Sequence, residues 1–233
     1  AIGYETQMKF IVTRPSPDAE IFAGAVARLG AEPVLSPVMA IRYRDAPIDH
    51  ADGSALAFTS ANGVRAFAGL SPLRNVKVFA VGEATALAAR SARFSDIDVA
   101  AGDVESLAAL IFRSKPNRPI LHLAGSERAG DLVRLLSEGS VRARRAVIYD
   151  AVKIACMTPE AARAISENGN SLAIVFFSPR SARLFLDQAR RDGLLDPLRS
   201  ATALCLSDEV AAAADKARWL GKMVAEDRSA DAM

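Results

Sequence analysis

The stretch FTSANGVRAF, residues 58–67, returns near the other end of the chain as FFSPRSARLF, residues 176–185. Each reads as the end of an apolar strand, a hydroxyl-bearing turn and the start of an arginine-bearing helix. Ser60 and Ser178 fall where a helix N-cap is expected, because a serine oxygen accepts from the first free amides of a helix. Strand, turn and helix in that order form the repeating step of a parallel sheet covered on both faces.

Working outward, apolar runs bounded by turn residues predict strands at 9–14, 32–38, 54–60, 76–82, 96–102, 119–125, 144–150, 171–178, 202–207 and 221–226. Amphipathic segments follow most of them, among them 19–30, 127–139, 181–193 and 208–221, the last three closing on Gly. The fold class is therefore α/β.

Overlaying the two halves extends the echo into a full repeat. Residues 11–40 parallel 121–151, FTSANGVRAF parallels FFSPRSARLF, VFAVGEATALAA (78–89) parallels ALCLSDEVAAAA (203–214), and VAAGDVESLAAL (99–110) parallels VAEDRSADAM (224–233). With the strands lettered a to e, the chain reads abcde twice. This implies two similar domains, each a parallel sheet of about five strands flanked by helices. Each sheet could take one consecutive abcde, or the middle run cdeab could form one domain while the chain ends build the other. The two junctions between b and c, residues 38–49 and 148–160, are extended and contain proline, which suits a two-stranded connector and favours the second arrangement. The expected domains are then 8–39 plus 153–233, discontinuous, and 40–152, contiguous and including the connectors. The last repeat breaks off at RSADAM, so its helix is expected to be short, truncated or disordered. Residues 1–7, AIGYETQ, lack periodicity and precede Met8, and are read as a leader ahead of the natural start.

Composition narrows the function. The 233 residues fit two domains of this size, and 51% hydrophobic content supplies real cores. No apolar run approaches a membrane span and the N-terminus lacks a secretory pattern, so a cytoplasmic protein is expected. A net charge of +2 argues against a nucleic-acid wrapper. Of the 29 cations 23 are Arg, a planar fork suited to carboxylate or phosphate, although a GC-rich genome gives the same bias. Cys156 and Cys205 lie in apolar surroundings and read as buried small residues. Neither a metal-ligand spacing, a dinucleotide fingerprint nor a P-loop occurs; VGEATA (81–86) holds a single Gly. His122, inside the apolar run ILHLAG (120–125), reads as a core or edge histidine, and Ser60 and Ser178 have no nearby base.

What remains is the set of strand-to-helix turns: TRPSPD (13–18), TSANG (59–63), VGEAT (81–85), AGSER (124–128), SPRSA (178–182) and LSDEV (206–210). Small and hydroxyl residues there leave helix N-terminal amides open to anions, at the sheet end where ligands bind. Arg14, Arg65, Arg128, Arg180 and Arg183 lie at or just past these turns, where a structural cap alone needs no guanidinium. Outside the leader, only Tyr43 and Tyr149 are tyrosines, both on the junctions, where a phenol facing an interdomain cleft can donate a proton.

Taken together, the VTRP opening, FTSANGV, the VGEAT turn, GDVESLAALI (102–111), the LxLAG turn, VIYDA (147–151) and FFSPRSA resemble the uroporphyrinogen-III synthase family, from about Met8 to the C-terminus. The resemblance implies two α/β domains with substrate in the cleft between them and no cofactor or metal. It implies a lyase of tetrapyrrole and heme biosynthesis that takes linear hydroxymethylbilane, removes its terminal hydroxyl, inverts the last pyrrole ring through a spiro intermediate and closes uroporphyrinogen III. Tyr149 matches the family tyrosine proposed to assist hydroxide departure, and Ser60, Thr85 and Ser178 match turn positions that face substrate. The expected substrate-binding set is Arg14, Ser60, Ala61, Asn62, Gly82, Thr85, Gly125, Ser126, Arg128, Ser178, Arg180 and Ser181. One turn departs from the family pattern: Asp208 and Glu209 would repel a carboxylate and are expected to face solvent. The small-molecule tetrapyrrole is the expected partner, without nucleic acid or membrane, for a monomer in transient contact with the preceding enzyme of the pathway. The alternatives are a non-catalytic two-domain anion-binding or regulatory module of the same fold, and a synthase that kept the fold and lost activity.

Overall fold

The computed structural model describes residues 7–45, 47–49, 53–127, 130–167 and 171–226. In chain order its elements are β1 (Lys9–Val12), α1 (Asp18–Arg28), β2 (Glu32–Leu35), β3 (Met39–Tyr43), β4 (Ala55–Phe58), α2 (Ala61–Leu70), β5 (Val78–Val81), α3 (Gly82–Ser91), β6 (Ile97–Ala100) and α4 (Val104–Ser114). They continue with β7 (Ile120–Gly125), α5 (Leu132–Glu138), β8 (Ala143–Lys153), α6 (Pro159–Glu167), β9 (Leu172–Phe176), α7 (Pro179–Arg191), β10 (Thr202–Cys205), α8 (Asp208–Ala214) and β11 (Gly221–Val224). The chain divides into two compact units, 1–40 with 152–233, and 41–151.

In the first unit the strand order is β2-β1-β9-β10-β11, all parallel. In the second it is β8-β7-β4-β5-β6, again parallel, with β3 added outside β8. In the letters of the repeat both sheets read b-a-c-d-e, so each a strand pairs with the c strand of the other half of the chain. The β3–β8 pair runs antiparallel: Ile154 N–H donates to Val38 O and Arg44 N–H to Ile148 O, so one number falls as the other rises.

Burial explains why these segments became strands. In β4, Ala55 and Ala57 join a cluster with Phe79, Leu107, Ile111, Leu132 and Leu136 under α4 and α5. Leu56 and Phe58 point the other way, into Val64, Phe67, Val78, Ala89 and Phe94 under α2 and α3. A strand buried on both faces must be apolar at every position, which ALAF and the LAIVF of β9 both are. Helices α2, α4, α5, α7 and α8 begin at side-chain caps: Ser60, Asp103, Asp131, Ser178 and Ser207 each accept from an amide of the first turn.

Two helices are shorter than their periodicity predicts. The helix of 127–139 starts only at Leu132, after Gly130 at φ +87°. That of 208–221 stops at Ala214, where the Trp219 indole N–H donates to the Ala214 carbonyl at 2.9 Å while its ring packs edge-on against Phe176. Gly221 opens β11 instead of closing a helix. The reading of both cysteines as buried is corrected for one: Cys205 is buried in β10, whereas Cys156 is exposed in the turn between β8 and α6. RSADAM lies outside the described residues.

Gly63 lets α2 lie directly on β7, since a Cβ there would sit 2.9 Å from the Leu123 carbonyl oxygen. Backbone cannot swing aside as a side chain can, so Gly63→Ala is expected to destabilise the fold by about 1–3 kcal/mol. A lowered denaturant midpoint at unchanged slope is the expected reading; an unchanged midpoint would show that the helix shifts freely.

Candidate functional site

Because the strands of each sheet proper are parallel, their carboxyl ends gather at one end of it, and the a–c boundary is the point where the chain winds off in both directions. Ligands bind at such switch points. In the second unit that boundary is β7 against β4, with β8 and β5 outside them, so the row of strand ends carries Tyr149, Gly125 with Ser126, Thr59 to Asn62, and Gly82 to Thr85. In the first unit it is β1 against β9, where Arg14 meets Phe177 to Ser181.

Tyr149 is placed by an irregularity of pairing. Ala124 pairs with Val147 but Gly125 pairs with Tyr149, so one residue of β8 is extra. The bulge turns Ile148 and Tyr149 toward the same core cluster, breaking the alternation that would have opposed them. The ring then lies against Gly125, where a Cβ would come within 2.7 Å of it and 3.1 Å of the hydroxyl oxygen. Only glycine leaves room for that ring at the end of β7.

The neighbourhood is clamped. The Arg44 guanidinium holds both oxygens of Asp150, Nη2 to Oδ1 at 2.7 Å and Nε to Oδ2 at 2.8 Å. This pair, with a further bond from Ser126, keeps the Asp150 carboxyl down at about 2, well below the usual carboxylate range. Ser126 N–H donates to the Tyr149 carbonyl at 2.9 Å, and Arg145 donates to the Gly125 carbonyl. Ser126, read from the sequence as a substrate contact, is exposed, but its hydroxyl serves Asp150.

The remaining expected residues divide by what their polar groups already do. Ser60 Oγ accepts from Asn62 N–H at 3.2 Å and the buried Asn62 side chain accepts from Arg65 at 3.0 Å, which leaves the Ala61 amide at the head of α2 for an outside acceptor. Gly82 opens α3, and Thr85, one turn on, is only 5% exposed. Ser178 and Ser181 cap each other: Ser178 Oγ accepts from Ser181 N–H and Ser181 Oγ from Ser178 N–H, both at 3.1 Å. Ser181 is 2% exposed, whereas Ser178 and Arg180 are half-buried at the same turn. Arg14 bonds Asp18 at 3.1 Å and lies over the Phe177 ring at 4.3 Å, so it is held by both neighbours of its turn. Asp208 and Glu209 are exposed in the first turn of α8, and Arg128 lies outside the described residues.

Sequence reading missed the Arg44–Asp150 clamp, Arg145, and a part-buried pair, His122 Nε2 and Thr59 Oγ1 at 3.2 Å. The signal for the clamp was present in the two junctions, which place Arg44 and Asp150 on strands expected to pair. Burial, helped by the nearby Arg145 charge, pushes the His122 imidazole down to about 4. Among the described residues no cluster of His, Cys, Asp and Glu could hold a metal ion, and no helix is long and apolar enough to cross a membrane.

A family model for uroporphyrinogen-III synthase HemD matches residues 20–233. A protein of Methanocaldococcus jannaschii described as "Putative uroporphyrinogen-III synthase" is 33% identical over 88 residues, 34% of this chain and 36% of that protein, so the chain spans about a third of the curated relative it matches. The crystal structure of uroporphyrinogen-III synthetase from Helicobacter pylori 26695 superposes with a TM-score of 0.66 at 19% identity, covering 97% of this chain and 95% of that one. That likeness shows the fold: mixed α/β, with parallel sheets flanked by helices in two domains.

His122 gives this part of the molecule a pH signature. Its folded pKa lies below the unfolded 6.5, so the unfolded state binds the extra proton and stability rises with pH across the window from about 4 to 6.5. The contribution is complete above 6.5 and is lost toward pH 4, up to about 3 kcal/mol. Denaturant midpoints for the protein and for His122→Gln should converge as pH falls through that window; a constant difference would mean that the imidazole is protonated in place.

Proposed function

Because the chain belongs to the uroporphyrinogen-III synthase family, we propose that it converts hydroxymethylbilane to uroporphyrinogen III, with loss of water, inversion of the terminal pyrrole ring and closure of the macrocycle. The reaction class is that of a cyclizing hydro-lyase in tetrapyrrole and heme biosynthesis. The observation that carries this reading is that the family match runs through both units rather than one.

The site supports it in physical terms. An electron-rich pyrrole expels its hydroxymethyl oxygen once that oxygen is protonated, so the protein must supply one proton and hold one conformation. Tyr149, held over Gly125, is the proton donor. The free substrate closes without inverting its last ring, so the enzyme's main contribution is orientation, by fixing the chain where attack falls on the substituted carbon. Substrate carboxylates provide the handles. The Ala61 amide with Ser60 and Asn62 and the Gly82 turn hold them in the second unit; Arg14, Ser178 and Arg180 do so in the first. The protein acts on a small cytoplasmic metabolite, as a monomer.

The test follows hydroxymethylbilane consumption above its spontaneous rate. The wild type should accelerate it, and Tyr149→Phe should slow it by about tenfold to a hundredfold without abolishing it, because water replaces a general acid when the leaving group is good. Rates unchanged in Tyr149→Phe would remove Tyr149 from the mechanism. Binding without acceleration by the wild type would leave an anion-binding module.

A further inference from the structure

The β3–β8 ribbon places a second tyrosine beside the first. The bonds Arg44 N–H to Ile148 O and Ile154 N–H to Val38 O, both 2.9 Å, fix the register at both ends with no residue gained or lost between them. Tyr43 therefore stands directly opposite Tyr149. Since 44 and 148 form a hydrogen-bonded pair, 43 and 149 form the non-bonded pair next to it, the kind in which backbones approach to about 4.5 Å. The Arg44–Asp150 clamp crosses at this level, so the relative position of the two tyrosines is held by a bidentate bond as well as by the strands.

The two rings differ in surroundings. Tyr149 is half-buried against the core and Gly125. Tyr43 keeps 48% of its surface exposed, more than any other aromatic side chain among the described residues. It sits in a run, Arg42 to Asp45, whose other members are charged and exposed, on an edge strand where hydrophobic burial does not call for a ring. An exposed aromatic face beside the proposed proton donor has a chemical counterpart in the proposed reaction.

We propose that Tyr43 contacts the substrate, laying its ring against the terminal pyrrole as that ring loses its hydroxyl. The inference rests on the synthase reading and adds a residue to it. When the C–O bond breaks, its electron pair leaves on oxygen; the Tyr149 proton turns that hydroxide into water, and a positive charge remains spread over the pyrrole. The face of a phenol ring attracts that charge and excludes water from the carbon that must wait for internal attack. Tyrosinate regains its proton when the inverted ring sheds one on closure, so the cycle balances. The group required at position 43 is the ring, not its hydroxyl.

The experiment measures kcat, KM and the isomer III share of the product for wild type, Tyr43→Phe and Tyr43→Leu, with a thermal midpoint for each. Tyr43→Leu is expected to lower kcat by about tenfold, with isomer I rising as spontaneous closure competes, while Tyr43→Phe stays within about twofold of wild type. An edge-strand effect alone would move the thermal midpoint and leave kcat and the isomer share in place. Unchanged kcat and isomer share in Tyr43→Leu, or an equal loss in Tyr43→Phe, overturns the inference and leaves the synthase reading standing. Wild-type protein that yields isomer I at the spontaneous rate removes the reading and this inference with it.

Discussion

The pairing of β1 with β9 joins the two ends of the chain, and the first unit depends on it. Lys9 to Val12 lie in register with Leu172 to Val175, and the Thr13 hydroxyl adds a bond to the Val175 carbonyl at 2.6 Å across 162 positions. Without it the b-a pair and the c-d-e run are separate edges of sheet, each with a row of unpaired backbone groups. With it the sheet acquires a point where a and c lie side by side, and there Arg14 meets Phe177. The second unit makes the same a–c pairing between β7 and β4, and there Gly125 and Ser126 stand beside the turn that starts α2. In each unit the cluster of turns exists because its a and c strands are neighbours.

From that constraint follows the division of labour among polar groups. Many hydroxyls that look like ligand contacts in the sequence are occupied by the fold, since a helix that starts at the end of a buried strand must satisfy its own first amides. Ser178 and Ser181 cap one another, Ser60 caps α2, and Ser126 serves Asp150. Helix-start amides and arginine side chains at such turns suit the outer oxygens of carboxylates better than a covalent role. The Tyr149 ring has a different status. It is positioned by a bulge, a glycine and a salt bridge from the next residue, a level of restraint that a merely half-buried strand tyrosine does not need.

The parts legible in the sequence were those governed by local pattern. Strand and helix alternation, the doubled abcde repeat and the serine turns could be read because burial on both faces and N-capping each leave a period or a residue type behind. What depends on register was not legible. The extra residue of β8 between Val147 and Tyr149 has no signature in VIYDA, and without it the direction of the Tyr149 ring cannot be known. The early end of α8 depends on Trp219 reaching back to Ala214, a tertiary contact that overrides an alanine-rich helical pattern. Cys156 follows an apolar pair yet sits exposed in a turn, because Ile154 still bonds Val38 across the ribbon and the chain turns away only after it. His122 was readable as a core residue from ILHLAG, but its Thr59 partner, 63 positions away, required the β4–β7 pairing.

The central claim is that these turns and Tyr149 fold a linear tetrapyrrole so that its last ring inverts before closure. The most direct test gives freshly made hydroxymethylbilane to the purified protein, oxidises the products and separates the porphyrin isomers. Predominant isomer III is the predicted result, since only a held substrate inverts that ring. Isomer I formed at the spontaneous rate by protein shown to be folded would contradict the account.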